Sequence, residues 1–301
     1  MMMDVEIYKP YKKILFDDEL DTNSWSREIV NFAKILASHQ HNVFITSDTD
    51  YQNNISNIYK GQCSHPQYVF ISNGLWDKDS RTEFDVVSEA RKKGAQVFLL
   101  ETDLLLSPLH KEQYDGVLTQ NTQSPLYSHL EKLILYQHPI YTDSFHDRIK
   151  EGVFVGYERD RTSQISEYIV RPNMNWFGKS ETFNINNKAT KSQLTDVLRK
   201  YLYTITISGQ NQNEHNFVSQ RYYENILHGI INFVDSQYDK SGQLLSINHF
   251  RRVKNYIELR HKLNMIDDKL FNELQQEQFD EIHKYTDGQF LYNIIMENIT
   301  K

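Results

Sequence analysis

Residues 221–236 read RYYENILHGIINFVDS: an amphipathic segment with one glutamate, Glu224, then Gly229, then an apolar run ending in aspartate. A carboxylate five residues ahead of a glycine that introduces a buried strand either holds something or is an ordinary exposed helical glutamate. Arg221, one turn earlier on the same segment, either pairs with Glu224 or faces an anion. The stretch GVFVGYERDRTSQI (152–165) sets Arg159 and Arg161 in a turn between a strand and a helix. A guanidinium grips phosphate oxygens through a two-pronged fork, and a helix N-terminus attracts the same anion. The alternative for both arginines is a solvated turn. MNWFGKS (174–180) brings Trp176 and Lys179 to the end of another strand, where Lys179 could contact a phosphate or a base. In the first half, Glu101 and Asp103 follow the run VFLL, and Asp17 and Asp18 follow KKILF. A carboxylate at a strand end can take the proton of a hydroxyl or cap the next helix.

The elements that must carry these residues are short β-rich runs alternating with helices. KKILF (12–16), NVFIT (42–46), YVFIS (68–72), QVFLL (96–100) and GVLT (116–119) read as strands. Between them, Ile29, Phe32, Ala33 and Leu36 repeat at helical spacing. Ser80 and Glu83 form a capping box opening a helix that Gly94 closes, and LYSHLEKLILY (126–136) reads as another helix. The pattern restarts with GVFVG (152–156), SQISEYIV, MNWFG, ATKSQLTDVLRKY, YTITIS (203–208), VSQRYYENILH and IINFVD (230–235). Apolar strands alternating with helices predict parallel sheets covered on both faces. We therefore expect an α/β chain of two Rossmann-like domains, residues 1–145 and 146–246, with a charged helical tail, 247–301, packing across them.

The chain has 301 residues, 39% of them hydrophobic and 24% charged, a globular composition long enough for two cores. Its net charge of −7 repels polyanions, so a nucleic-acid substrate would need a local basic face. The single cysteine, Cys63, excludes an internal disulfide and suits a reducing compartment. No run approaches the ~18 apolar residues of a membrane span, and the first residues lack a signal core, so the expectation is a soluble, cytoplasmic protein with no membrane partner. Neither half carries a Gly-x-Gly-x-x-Gly fingerprint or a phosphate-loop lysine, which argues against a dinucleotide oxidoreductase and a phosphate-loop NTPase.

This order of elements resembles the GT-B class of glycosyltransferases over nearly the whole chain. In that class the second domain opens with a strand ending in glycine and a basic loop facing the donor diphosphate, here Arg159 and Arg161. A later strand ends in aromatic residues and glycine beside the base, here Trp176 ahead of Lys179. A helical glutamate then holds the donor ribose five residues before a glycine, here Glu224 and Gly229. Among GT-B enzymes the chain is most similar to those of bacteriophages that decorate DNA bases, in which an acidic triplet faces the acceptor, here Glu101, Thr102 and Asp103. The resemblance implies a nucleotide-diphosphate sugar as donor, UDP-linked, and a hydroxylated or hydroxymethylated pyrimidine in double-stranded DNA as acceptor. It implies Asp103, Glu101 and Asp18 as catalytic candidates, and no essential metal.

Asp-x-Asp in SDTDY (47–51) is the metal signature of the other glycosyltransferase fold, but it ends the second strand and reads as a loop. Cys63 with His65 offers two ligands, too few for zinc, and the twelve histidines show no telling spacing. The rival readings are transfer to a glycan, teichoic acid or small metabolite, a non-catalytic module that keeps the sugar-nucleotide pocket, and a sugar-phosphate epimerase.

Overall fold

The computed structural model describes residues 2–8, 24–46, 55–72, 83–101, 113–119, 142–158, 160–187, 189, 191–209, 213, 218–239 and 245–300. The chain divides into two compact units, one of Met1–Gln137 with Lys284–Lys301 and one of His138–His283.

In the first unit, apolar runs pair into a sheet of six parallel strands. These are β1 (Asp4–Tyr8), β2 (Asn42–Thr46), β3 (Ile58–Lys60), β4 (Tyr68–Ser72), β5 (Gln96–Glu101) and β6 (Gly116–Thr119), in the order β3-β2-β1-β4-β5-β6. Parallel neighbours need crossovers, and α1 (Ser24–Ser38) and α2 (Glu83–Lys92) supply two of them. Alternate strand residues enter opposite cores, as the two-residue period demands. Val5, Ile7, Phe70 and Phe98 join Ile29, Phe32 and Leu36 of α1 and Leu291, Ile295 and Ile299 of α8 (Gly288–Ile299). Tyr8, Ile71, Val97 and Leu99 join Val86 and Ala90 of α2 on the other face. Gly94 ends α2 with φ +81°, a left-handed geometry that favours glycine.

The strand that opens the sheet is Asp4–Tyr8; residues 12–16, read from sequence as the first strand, lie outside the described residues, as do Ser80 and the segment 126–136. Glu6 hides β1 by interrupting its apolar run. Its carboxylate is buried but accepts from the Thr46 hydroxyl at 3.0 Å and the Cys63 amide at 3.0 Å. A buried charge with such partners is compatible with a central strand.

The second unit repeats the plan. β7 (Ile149–Val155), β8 (Met174–Ser180), β9 (Ile185–Asn187), β10 (Tyr201–Thr206), β11 (Ile231–Asp235) and β12 (Arg252–Val253) lie in the order β12-β11-β10-β7-β8-β9. All are parallel except β9, which runs antiparallel to β8. Helices α3 (Thr162–Tyr168), α4 (Lys191–Lys200), α5 (Gln220–Leu227), α6 (Tyr256–Leu263) and α7 (Asp268–Thr286) surround the sheet. One core joins Phe154, Ile205 and Phe233 to Ile165, Tyr168, Leu259 and Phe271; the other joins Val153 to Leu194, Leu198 and Ile230. The segment after residue 247, expected to be wholly helical, also contributes β12, whose two residues are too short a signal to read from sequence.

The chain leaves β7 towards β8 on one side and later returns to β10 on the other. The carboxyl ends of β7 and β10 thus flank the point where strand order reverses. Open α/β sheets bind their ligands at that place.

Candidate functional site

The strand β7 ends at Val155, but its pairing with β8 continues through Gly156 into the turn. The Gly156 amide donates to the Phe177 carbonyl at 3.0 Å and the Glu158 amide to that of Lys179 at 3.1 Å. The close approach depends on Gly178, where a Cβ would overlap the Gly156 carbonyl oxygen. That oxygen accepts the Trp176 indole N–H at 2.9 Å, and the Trp176 ring packs against Phe154 and Phe183, both at 5.9 Å between centroids. Lys179 is exposed, with its ammonium 3.5 Å from Glu181.

Glu158 locks the turn from inside. Its buried carboxylate accepts from the Ser180 hydroxyl at 2.7 Å, the Thr162 hydroxyl at 2.8 Å and the Thr182 amide at 3.3 Å. Hydrogen bonds from Thr182, Ser180 and Thr162 favour the ionised form and hold its pKa down at about 2. Sequence reading passed over Glu158. Its partners on the far side of the turn stand 22 and 24 residues away, so no local spacing marks it.

Arg161 is the cap residue of α3. Its guanidinium donates to the Ile207 carbonyl at 3.1 Å and to the Tyr157 carbonyl, and lies 5.7 Å from the centre of the Phe154 ring. It therefore ties the end of β7 to the end of β10. Arg159 lies outside the described residues. Just beyond Ile207, a Cβ on Gly209 would overlap the carboxylate of Asp160.

The helix α5 follows β10. Glu224 is 2% exposed, which excludes an ordinary surface glutamate, and its carboxylate lies 2.6 Å from the Arg221 guanidinium. The two atoms meet as charges, outside hydrogen-bond angles. Gly229 ends the helix with φ +69° and donates its amide to the Ile226 carbonyl at 2.8 Å. The glycine is thus a helix stop, and its carbonyl accepts from Gln275 at 2.8 Å. Next to it, His228 donates from Nδ1 to the Glu224 carbonyl at 2.6 Å, while burial lowers its pKa and keeps the ring neutral.

A buried polar network fixes α5 from behind. Asn225 donates to the Thr206 hydroxyl at 3.5 Å, and Thr206 donates to Asn232 at 2.8 Å. Tyr222 donates to Glu281 at 2.6 Å, and Glu281 forms an ion pair with the wholly buried Arg251. Arg251 also donates to the Asn232 carbonyl at 3.2 Å.

The sequence-derived candidates of the second unit therefore fall into two groups. Trp176, Lys179 and Arg161 surround the turn after β7, and Arg221, Glu224 and Gly229 belong to α5. Both groups reach the end of β10, through Arg161 at Ile207 and through Asn225, the neighbour of Glu224, at Thr206. In the first unit, Glu101 is the last residue of β5, in register with Thr119 at the carboxyl end of the sheet. Asp103 and Asp18 lie outside the described residues. Among the described residues, no group of three His, Cys, Asp or Glu side chains is arranged to hold a metal ion. No described helix is long and apolar enough to cross a membrane.

No protein-family model matches the sequence, and no curated protein does either. Solved structures do match in shape. AviGT4, a glycosyltransferase involved in avilamycin A biosynthesis, superposes with a TM-score of 0.59 at 8% identity, over 99% of this chain and 97% of its own. A glycosyltransferase from Rickettsia africae ESF-5 superposes with a TM-score of 0.51 at 8% identity, over 98% of this chain and 97% of its own. At such identity the likeness speaks to the fold alone, and that fold is GT-B: two Rossmann-like α/β units with a helical C-terminal segment.

Proposed function

We propose that the protein is a glycosyltransferase whose second unit binds a nucleotide-diphosphate sugar. The observation that carries this reading is Glu224: a buried carboxylate on α5, braced by Arg221, in a GT-B fold. An ionised carboxylate accepts about four hydrogen bonds, so Glu224 can accept both hydroxyls of a ribose while keeping Arg221 as its counter-charge. Arg161 and Lys179 bring positive charge to the turn after β7, where the departing diphosphate gains negative charge as its bond to the sugar breaks. The new bond forms from the sugar C1 to an acceptor hydroxyl, whose proton passes to a carboxylate. Asp103, Glu101 and Asp18 are the candidates for that base. Nothing in this chemistry calls for a metal.

The acceptor we propose is a hydroxylated or hydroxymethylated pyrimidine in DNA, a choice supported by the sequence resemblance and opposed by the net charge of −7. The test is to incubate the protein with UDP-, GDP- and ADP-linked hexoses and follow release of the nucleoside diphosphate. Glycosyl transfer to DNA is read by mass spectrometry of its nucleosides. Release with none of the three donors would reject the enzyme. Release that is stimulated by a glycan or small hydroxyl compound, and not by hydroxymethylated DNA, would reject the DNA acceptor only.

A further inference from the structure

The last turn of α5 is tied down by groups that the reading above leaves unused. Glu224 stands in that turn, where carbonyls lack partners within the helix. Its carbonyl accepts from the His228 amide at 3.2 Å and from His228 Nδ1 at 2.6 Å. A carbonyl only accepts, so Nδ1 carries the ring proton and Nε2 is left to accept. Nε2 meets the Thr195 hydroxyl of α4 at 3.2 Å, and the ring is therefore gripped at both nitrogens.

The His228 carbonyl is held as well. Arg148, the residue before β7, donates to it from Nη2 at 3.0 Å. From Nη1 the same guanidinium donates to the carbonyls of Leu198, at 3.1 Å, and Tyr201, at 2.9 Å, where α4 runs into β10. The Arg148 side chain is wholly buried and lies 3.5 Å from the Asp143 carboxylate. That carboxylate accepts two further bonds from Arg199 of α4, at 2.7 and 2.8 Å. A cation at the carboxyl ends of two helices is favoured by both helix dipoles. Two bridges, Thr195 with His228 and Arg148 with its three carbonyls, thus join the end of α5 to α4.

We infer that His228, held by Thr195 and Arg148, is a positioning residue of the donor site: it fixes the backbone from which the Glu224 carboxylate projects. The inference rests on the donor reading above and adds what sets its carboxylate in place. In this role His228 touches no donor atom and acts through Glu224 alone. Misplacing a binding group by about 1 Å can cost on the order of a hundredfold in function. A histidine serving only the fold would, once removed, cost stability and leave the affinity of the folded molecules unchanged.

The test is calorimetric titration of the whole protein with UDP, GDP and ADP at neutral pH, each variant first checked as folded by circular dichroism. His228→Ala should weaken binding of the preferred diphosphate by about tenfold. His228→Asn, whose amide nitrogen takes the place of Nδ1 before the Glu224 carbonyl, should restore most of that loss. Thr195→Val removes only a hydroxyl and should weaken binding by about threefold; it decides the matter if His228→Ala does not fold. Leu259→Ala, a buried truncation on α6 of the same unit, should lower the unfolding midpoint and leave the affinity at the wild-type value. Unchanged affinity in His228→Ala and Thr195→Val overturns the inference, as does equal weakening by Leu259→Ala or by His228→Asn. If Glu224→Ala abolishes binding in that same series, the donor reading stands and the positioning role alone falls. If the wild type binds none of the three, both fall.

Discussion

The guanidinium of Arg221 and the carboxylate of Glu224 meet at 2.6 Å on one face of α5, three residues apart. Glu224 is almost wholly buried there, whereas Arg221 keeps 28% of its side chain exposed. Removing it takes a guanidinium away from a buried carboxylate. Arg221→Ala should therefore destabilise the protein by about 1–3 kcal/mol in urea unfolding and weaken nucleoside diphosphate binding as the carboxylate loses its orientation. Glu224→Gln, which keeps the shape and drops the charge, should retain the fold and lose the binding.

Gly229 holds a left-handed backbone at the end of α5. A Cβ in that conformation costs about 1–2 kcal/mol, so Gly229→Ala should lower the unfolding midpoint accordingly. Replacement by Asn, which tolerates the left-handed region, should cost less than Ala. If Ala and Asn are equally harmless, the helix stop is misassigned.

Glu158 gives the fold a dependence on acid. Its pKa is about 2 in the folded protein against an ordinary value of 4.5, so between those values the unfolded chain binds the additional proton. The stabilisation is present in full above about 4.5 and is lost as pH falls towards about 2. Urea unfolding at a series of pH values should show stability rising with pH across that window, and Glu158→Gln should flatten the rise.

The pair of Arg251 with Glu281 is buried on both sides, and Arg251 also donates to the Tyr222 hydroxyl at 3.1 Å and to Gln278 at 3.3 Å. Breaking a buried pair by removing one partner costs about 3–5 kcal/mol. Arg251→Met should show that loss, and Arg251→Met with Glu281→Leu should recover part of it. A single variant as stable as wild type would show that the pair does not hold α5 in place.

Much of the architecture can be read from the sequence because its signal is local. NVFIT and YVFIS form β2 and β4 over the same residues that their β-branched runs mark, and Gly94 stops α2 as its position suggests. What escapes reading depends on partners distant in sequence. β1 is hidden by Glu6, whose charge is tolerated because Thr46, Cys63 and Lys93 come to it in space. β9 and β12 are too short and too polar to stand out from turns. The candidate site shows the same division. Glu224 and Gly229 stand out because helix, glycine and strand follow one another directly. The role of Glu158 is invisible, since Ser180 at the end of β8 and Thr182 in the turn after it reach it from far along the chain. Arg161 is recognisable as a cation in a turn, but sequence does not show that its guanidinium donates to the carbonyls of Tyr157 and Ile207.

The most direct test of the donor reading is a titration of wild-type protein and Glu224→Ala with UDP, GDP and ADP, read by calorimetry. The account predicts that the wild type binds one of the three in preference to the others, and that the variant, folded by circular dichroism, loses that binding. A wild type indifferent to all three, or a variant that binds as tightly as its parent, would contradict it.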